Sequence, residues 1–218
     1  MAQVPEQSES SQMKLSQRKV SLVWWHLVFL IIVALAAAVR LPGCFSNFWF
    51  DEIWTFSYAN QLDSPLQIFT ELRHDNNHHL NTLIFYLLGD CEHWMVYRIH
   101  SLVAGIGAVI LAWFIARRAG GLEAVIASLL IAGSYLMIHF SSEARGYAMV
   151  VFFSFATFLT VQCFAEDKRW LSAVVFWLCV CLGFLSHLTY LHVFIAVALW
   201  LLVHLFKTCE DKLVVCHR

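Results

Sequence analysis

Charge is what this sequence has least of. Only 13% of its 218 residues are Asp, Glu, Lys or Arg, where a soluble domain carries about 25%. With 60% hydrophobic residues and a mean hydropathy of +0.68, no stretch has the mixed polarity a large soluble domain needs. The chain therefore reads as an integral membrane protein. A basic tract is also missing, which excludes nucleic-acid binding. No two of the seven cysteines have CxxC spacing. Cys163, Cys179 and Cys181 fall in apolar runs and read as small hydrophobes; Cys209 and Cys216 lie in the C-terminal tail. Cys44 and Cys91 share the first large loop, either as a disulfide if that loop faces an oxidising compartment or as two free thiols. The interiors of the apolar runs hold no Asp, Glu, Lys or Arg, and Glu123 comes closest, at a run's end. Pumps, ion channels and proton-coupled transporters mark their paths with such residues, so this absence argues against them.

What is present is a succession of apolar runs. Residues 21–39 carry no formal charge and are long enough to cross a bilayer, which takes about 20 residues. Ala36-Ala37-Ala38 resembles a signal-peptidase site, but the run exceeds the roughly 7–15 residues of a signal peptide, so an uncleaved first span is expected. Further spans are expected at 99–116, 122–140, 148–165, 170–187 and 189–206, about six in all. The organisation that follows is a disordered cytoplasmic tail at 1–20, one all-α polytopic module at 21–206 with a long outer loop at 41–98, and a second cytoplasmic tail at 207–218. The loop holds Pro42 and Pro65 and two short amphipathic helices, at 64–72 and 80–88. Both are too short to span and are expected on the membrane surface or against the bundle.

Positive charge sets the orientation. With the N-terminus in the cytoplasm, the cytoplasmic positions hold Lys14, Arg18, Lys19, Arg117, Arg118, Lys168, Arg169, Lys207, Lys212 and Arg218, every lysine among them. The polar groups able to do chemistry then converge on the outer face.

Four constellations are candidates. Asp51-Glu52 sits among aromatic residues just past the first span. Burying carboxylates near lipid is costly, and the chemical use would be a general base, Asp51, with Glu52 orienting it or holding a cation; a solvated acidic loop is the other reading. In the segment 74–82, His78, His79 and Asp75 form a candidate divalent-metal set, although the spacing fits no closed zinc pattern and also suits a hydrogen-bonded loop and helix start. In Glu143-Ala144-Arg145-Gly146-Tyr147, Arg145 can grip a phosphate with its planar fork and Gly146 permits close approach; an ordinary interfacial Arg-Glu pair is the alternative. Arg98, opening the second span on the same face, could be a second phosphate contact or an interfacial anchor. Last, His187 lies in an outer turn as a ligand or a hydrogen-bonded interfacial histidine.

In their order, these motifs are an aromatic-flanked Asp-Glu, His79-Leu80-Asn81-Thr82, an Arg opening the second span, Arg117-Arg118-Ala119-Gly120, and Ser141-Ser142-Glu143-Ala144-Arg145-Gly146-Tyr147. Together they resemble the GT-C glycosyltransferases, in the branch of protein O-mannosyltransferases, bacterial aminoarabinose transferases and related polyprenyl-phosphate-sugar enzymes. The resemblance runs from about Val20 to about Phe206. It implies a GT-C-like N-terminal module and transfer of a sugar from a polyprenyl-phosphate donor to a lipid, protein or glycan acceptor, on the outer or lumenal face, by an inverting single displacement. It implies Asp51 as base, Glu52 in support or holding a cation, and Arg145 on the donor phosphate; the residues themselves add Arg98 as a second phosphate contact and Glu143, Tyr147 and His187 as supporting residues. The chain departs from the family in having Leu80 where relatives often carry Pro, and Glu143 where they often carry Asp. Relatives usually have about twice as many spans and a C-terminal domain, so this chain is expected to be a truncated form or a compact relative that uses a partner subunit. The expected location is a bacterial inner membrane with the site facing outward, or the endoplasmic reticulum membrane. The competing expectations are a non-catalytic membrane subunit or lipid-binding remnant and, further off, a metal or solute transporter.

Overall fold

The computed structural model describes residues 5–72 and 78–216, and every regular element among them is helical. α1 (Pro5–Arg40) runs into a 3-10 turn (Leu41–Phe45). The short helices α2 (Phe50–Ala59), α3 (Gln67–Thr70) and α4 (His79–Leu88) follow. α5 (Trp94–Ala116), α6 (Gly121–Gly133), α7 (Tyr135–Ser141), α8 (Gly146–Asp167), α9 (Trp170–Ser186) and α10 (Tyr190–Cys216) complete the chain. A helix is what long apolar runs must form in hydrocarbon, where each backbone N–H and C=O needs a partner within the segment.

Four helical stretches are long and apolar enough to cross a membrane, in α1, α5, α8 and α10; α6 and α7 qualify together as a fifth, bent by 61° between them. This lowers the expected count of about six. α9 has 17 residues, about 25 Å at 1.5 Å per residue, against a hydrocarbon core of about 30 Å. The tails also differ from expectation. Residues 5–20 are helical and continuous with the first span, and α10 continues through 207–216. In the outer loop the helix expected at 64–72 is one turn, Gln67–Thr70, whereas α4 starts one residue before its expected boundary. Cys44 and Cys91 are both free thiols.

The bend has a local cause that no proline announces. Ser134 is extended, with φ −66° and ψ 122°, so the helical ladder stops and the last carbonyls of α6 lose their partners. Arg40, fully buried at the end of α1, supplies them. Its Nη2 donates to Ile131 O at 2.9 Å, its Nη1 to Ala132 O at 3.0 Å, and its Nε to Ser141 Oγ at 3.2 Å. Among the described residues no carboxylate pairs with Arg40. Its charge lies instead at the negative end of α6, where a cation is favoured.

Three apolar clusters organise the bundle among the described residues, the third joining Ala104 of α5 to Ala148 and Met149 of α8. Ile32, Ala36, Val109, Trp113, Ala124 and Ala132 join α1, α5 and α6. Ala59, Phe85, Tyr97 and Ala144 join α2, α4, α5 and the loop before α8. Phe48 plugs the second cluster, with its ring 4.5 Å from Trp94 and 5.5 Å from Tyr97. The short outer helices therefore share a core with the spans and form a fixed roof at one end of the bundle.

Candidate functional site

α2 carries Asp51 and Glu52 in its first turn. Neighbours on a helix point about 100° apart, so adjacent carboxylates meet different surroundings. Glu52 turns inward and is fully buried. Its two oxygens accept four hydrogen bonds: from Trp49 N–H at 2.7 Å, Arg98 Nη2 at 2.6 Å, Arg98 Nε at 2.8 Å and Ala144 N–H at 2.6 Å. The first caps α2, the Arg98 fork is bidentate, and the last reaches the loop before α8. Arg98 is equally buried, and its remaining donors go to the carbonyls of Gly43, Cys44, Ser46 and Asn47. The fork that the sequence offered to a phosphate is closed around Glu52 and the 3-10 turn.

Asp51 turns outward. Its side chain is 52% exposed, and its Oδ2 lies 2.7 Å from Arg145 Nη2. Arg145 rests over the Tyr147 ring at 4.7 Å and also donates to Tyr147 Oη at 3.3 Å. Among the described residues its buried Nε has no hydrogen-bond partner, nor has Oε2 of Glu143, which lies 3.8 Å from Arg145 Nη1. Glu143 Oε1 is 3.1 Å from His139 Nε2. Burial pushes the Glu143 carboxyl above its ordinary range, and His139 and Arg145 pull it back.

Three elements hold the backbone that presents Arg145. Glu52 takes the Ala144 N–H, Asn81 of α4 donates to Ala144 O at 2.9 Å, and Ser101 of α5 donates to Arg145 O at 3.1 Å. Gly146 follows, and a Cβ there would stand 2.0 Å from Ser186 O and 2.5 Å from His78 Nδ1. Only glycine lets the start of α8 pack this closely against the end of α9.

His78 donates from Nδ1 to Ser186 O at 3.3 Å. Its ring meets His187 at 4.5 Å and Tyr147 at 5.0 Å. His187 Nδ1 accepts the Thr189 N–H at 3.0 Å, so Tyr147, His78 and His187 form one cluster beside Arg145. Burial, then the neighbouring His187, lowers the His78 value to about 4; burial and then Arg145 lower His187. At neutral pH His78 is therefore uncharged. Between about pH 4 and the ordinary histidine value near 6.5, the unfolded chain binds a proton at this position that the native chain does not. The contribution of His78 to stability is thus full above that window and is lost as pH falls through it, whereas the raised Glu143 acts in the opposite sense. Thermal unfolding should lose more between pH 7 and pH 5 in the wild type than in His78→Gln. Parallel loss in both would remove His78 from the account.

Of the candidate metal set, the two histidines among the described residues meet different partners. His78 faces Ser186, His79 stacks on Phe69 with ring centroids 5.4 Å apart, and Asp75 lies outside the described residues. Among the described residues no group of three His, Cys, Asp or Glu side chains is arranged to hold a metal. Sequence reasoning missed Arg40, Asn81, Ser101 and His139. Asn81 stood inside a motif already singled out, while Ser101 carried no signal.

A family model described as dolichyl-phosphate-mannose-protein mannosyltransferase matches residues 78–216 of this chain. No curated protein and no solved structure matches it. The matched segment contains His78, Arg98, Glu143, Arg145, Tyr147 and His187. Asp51 and Glu52 lie before it and join its residues through the contacts with Arg145, Arg98 and Ala144.

Proposed function

This chain belongs to the dolichyl-phosphate-mannose-protein mannosyltransferase family, and from that premise we propose that it transfers a sugar from a polyprenyl-phosphate donor to a hydroxyl acceptor at the membrane face bearing Asp51. The observation that carries this reading is the 2.7 Å pairing of a half-exposed carboxylate, Asp51, with Arg145. One group can take a proton, and the group beside it can take a phosphate. Asp51 removes the proton from the acceptor hydroxyl as its oxygen attacks the anomeric carbon. The bond from that carbon to the phosphate oxygen breaks, the electron pair leaves with the polyprenyl phosphate, and Arg145 stabilises its charge. A single displacement inverts the anomeric centre.

Glu52 is not a second base, because both its oxygens are occupied by donors. Glu52 and Arg98 position Asp51 and the Arg145 loop relative to one another. Tyr147, His78 and His187 wall the phosphate side, and Glu143 tunes Arg145. A second reading is a non-catalytic lipid-binding subunit, and the same ion pair favours it, since Asp51 and Arg145 can satisfy each other as a static surface bridge.

Arg145→Gln separates the two roles within the site. With the full chain in proteoliposomes and a radiolabelled polyprenyl-phosphate sugar, loss of a charge-assisted bond to phosphate, about 1.5–3 kcal/mol, should raise the donor KM by roughly 10–100-fold. An unchanged donor KM would move the phosphate elsewhere.

A further inference from the structure

At the end of the bundle opposite Asp51, α1 and α5 leave a cleft of about 210 Å³ lined by Trp25, His26, Phe29, Trp113, Phe114 and Arg117. Trp25 lies 15 residues before Arg40 in α1, roughly 22 Å along the helix axis, so the cleft is separate from the site above. Three features of Arg117 set it apart. Its guanidinium lies over the Trp25 indole, 5.1 Å from the ring centroid, which orients the fork while leaving its edge donors open. Arg117 has no side-chain hydrogen bond or ion pair, whereas Arg40, Arg98, Arg118, Arg145 and Arg169 each have an acceptor; among described arginine side chains it alone is left without one. The turn into α6 is also shaped around it. A Cβ on Gly121 would stand 2.5 Å from the Trp25 ring and 2.7 Å from Arg117 Nη1, so the stacked pair fills the space a side chain would need.

The walls complete the picture. Phe114 is half exposed toward the surroundings of the bundle, and Phe29 sits 5.1 Å from Trp113 and 5.9 Å from Phe114. A planar cation at the end of two membrane-spanning helices, above an aromatic cleft open on one side, matches an amphiphile with an anionic head. The volume is below the ~300–1,000 Å³ of a pocket for a whole drug-sized molecule. It suits a head group whose chains run out along the helices. We propose that this cleft binds an anionic phospholipid, with Arg117 donating to the phosphodiester, Trp25 holding the guanidinium flat, and Phe29 and Phe114 covering the first part of the acyl chains. The proposal does not rest on sugar transfer.

The test uses the full chain in neutral detergent, with phosphatidylglycerol or phosphatidylcholine micelles added and bound lipid read by native mass spectrometry. The wild type should retain phosphatidylglycerol preferentially. Arg117→Gln should reduce that retention about fivefold, the share one basic residue contributes beside an anionic lipid. Arg118→Gln removes the same charge from a residue already paired with Glu166 and should leave retention unchanged. Arg117→Lys keeps the charge without the stacked fork and should fall between. Equal loss in the Arg117 and Arg118 variants would reduce the effect to net surface charge and overturn the proposal. So would equal retention of the two lipids, or displacement of phosphatidylglycerol by millimolar glycerol phosphate, which would make the cleft a site for soluble anions. If Arg117→Gln does not fold, Trp25→Leu with Arg117 intact should show the same selective loss.

Discussion

Asp51→Asn should lower sugar transfer by about 10²–10⁴-fold, the contribution of a positioned general base, without lowering thermal stability or donor binding by more than a small factor. The expectation follows from how Asp51 is held. Its carboxylate is half exposed, and among the described residues its ion-pair partner is Arg145. An asparagine oxygen at the same position still accepts the Arg145 N–H, so the loop and the phosphate-facing fork keep their places. What disappears is the capacity to accept a proton. The loss should therefore fall on kcat, with donor KM changed little, whereas Arg145→Gln should raise donor KM and also lower kcat, because Arg145 meets the phosphate charge that grows as the donor bond breaks. A variant that instead lost donor binding with kcat intact would make Asp51 a binding residue.

Glu52→Ala should destabilise the chain by about 3–5 kcal/mol, the cost of leaving one partner of a buried ion pair uncompensated. Four donors from three segments converge on this carboxylate: Trp49 N–H, both arms of Arg98 and Ala144 N–H. Removing it leaves the Arg98 charge buried and also frees the N-terminus of α2 and the loop carrying Arg145. Glu52→Gln should fare little better, because its amide NH2 would face donors where only acceptors fit. The double variant Glu52→Leu with Arg98→Leu should recover part of the loss, since no unpaired charge then remains. Unfolding midpoints of the four proteins in one detergent decide this. A double variant as unstable as Glu52→Ala would show that lost capping, and not the buried charge, dominates. Unlike Asp51→Asn, the Glu52 variants should lose activity in step with stability.

Much of the fold was legible because the bilayer leaves few options. Apolar runs of about 20 residues become helices, and α1, α5, α8 and α10 followed. The bend between α6 and α7 was not legible. The run is mostly apolar and no proline marks it; its one cue is the adjacent Gly133-Ser134 pair, a kind of step at which helices kink, and the break is stabilised by Arg40, some 91 residues earlier in the chain. The site divided in the same way. Asp51-Glu52, Arg145 and Gly146 stood out from residue type and position, and the structure brings Asp51 to Arg145. The inequality of the two acids could not be read from their adjacency, because it depends on which face of α2 meets Arg98, a residue 46 positions away. The same pairing explains Arg98, whose place at the head of a span suggested a ligand while its partner was hidden by distance. His78 and His79 looked alike in a His-rich segment, but a helix start turns one toward Ser186 and the other toward Phe69.

The central claim is direct transfer from a polyprenyl-phosphate sugar with Asp51 as base. The most direct measurement is the anomeric configuration of the product when the wild-type chain in proteoliposomes is given a radiolabelled polyprenyl-phosphate sugar and a hydroxyl acceptor. The account predicts labelled product of inverted configuration, formed about 10²–10⁴-fold more slowly in Asp51→Asn. A wild-type chain that binds the donor without forming product, or a product of retained configuration, would contradict it.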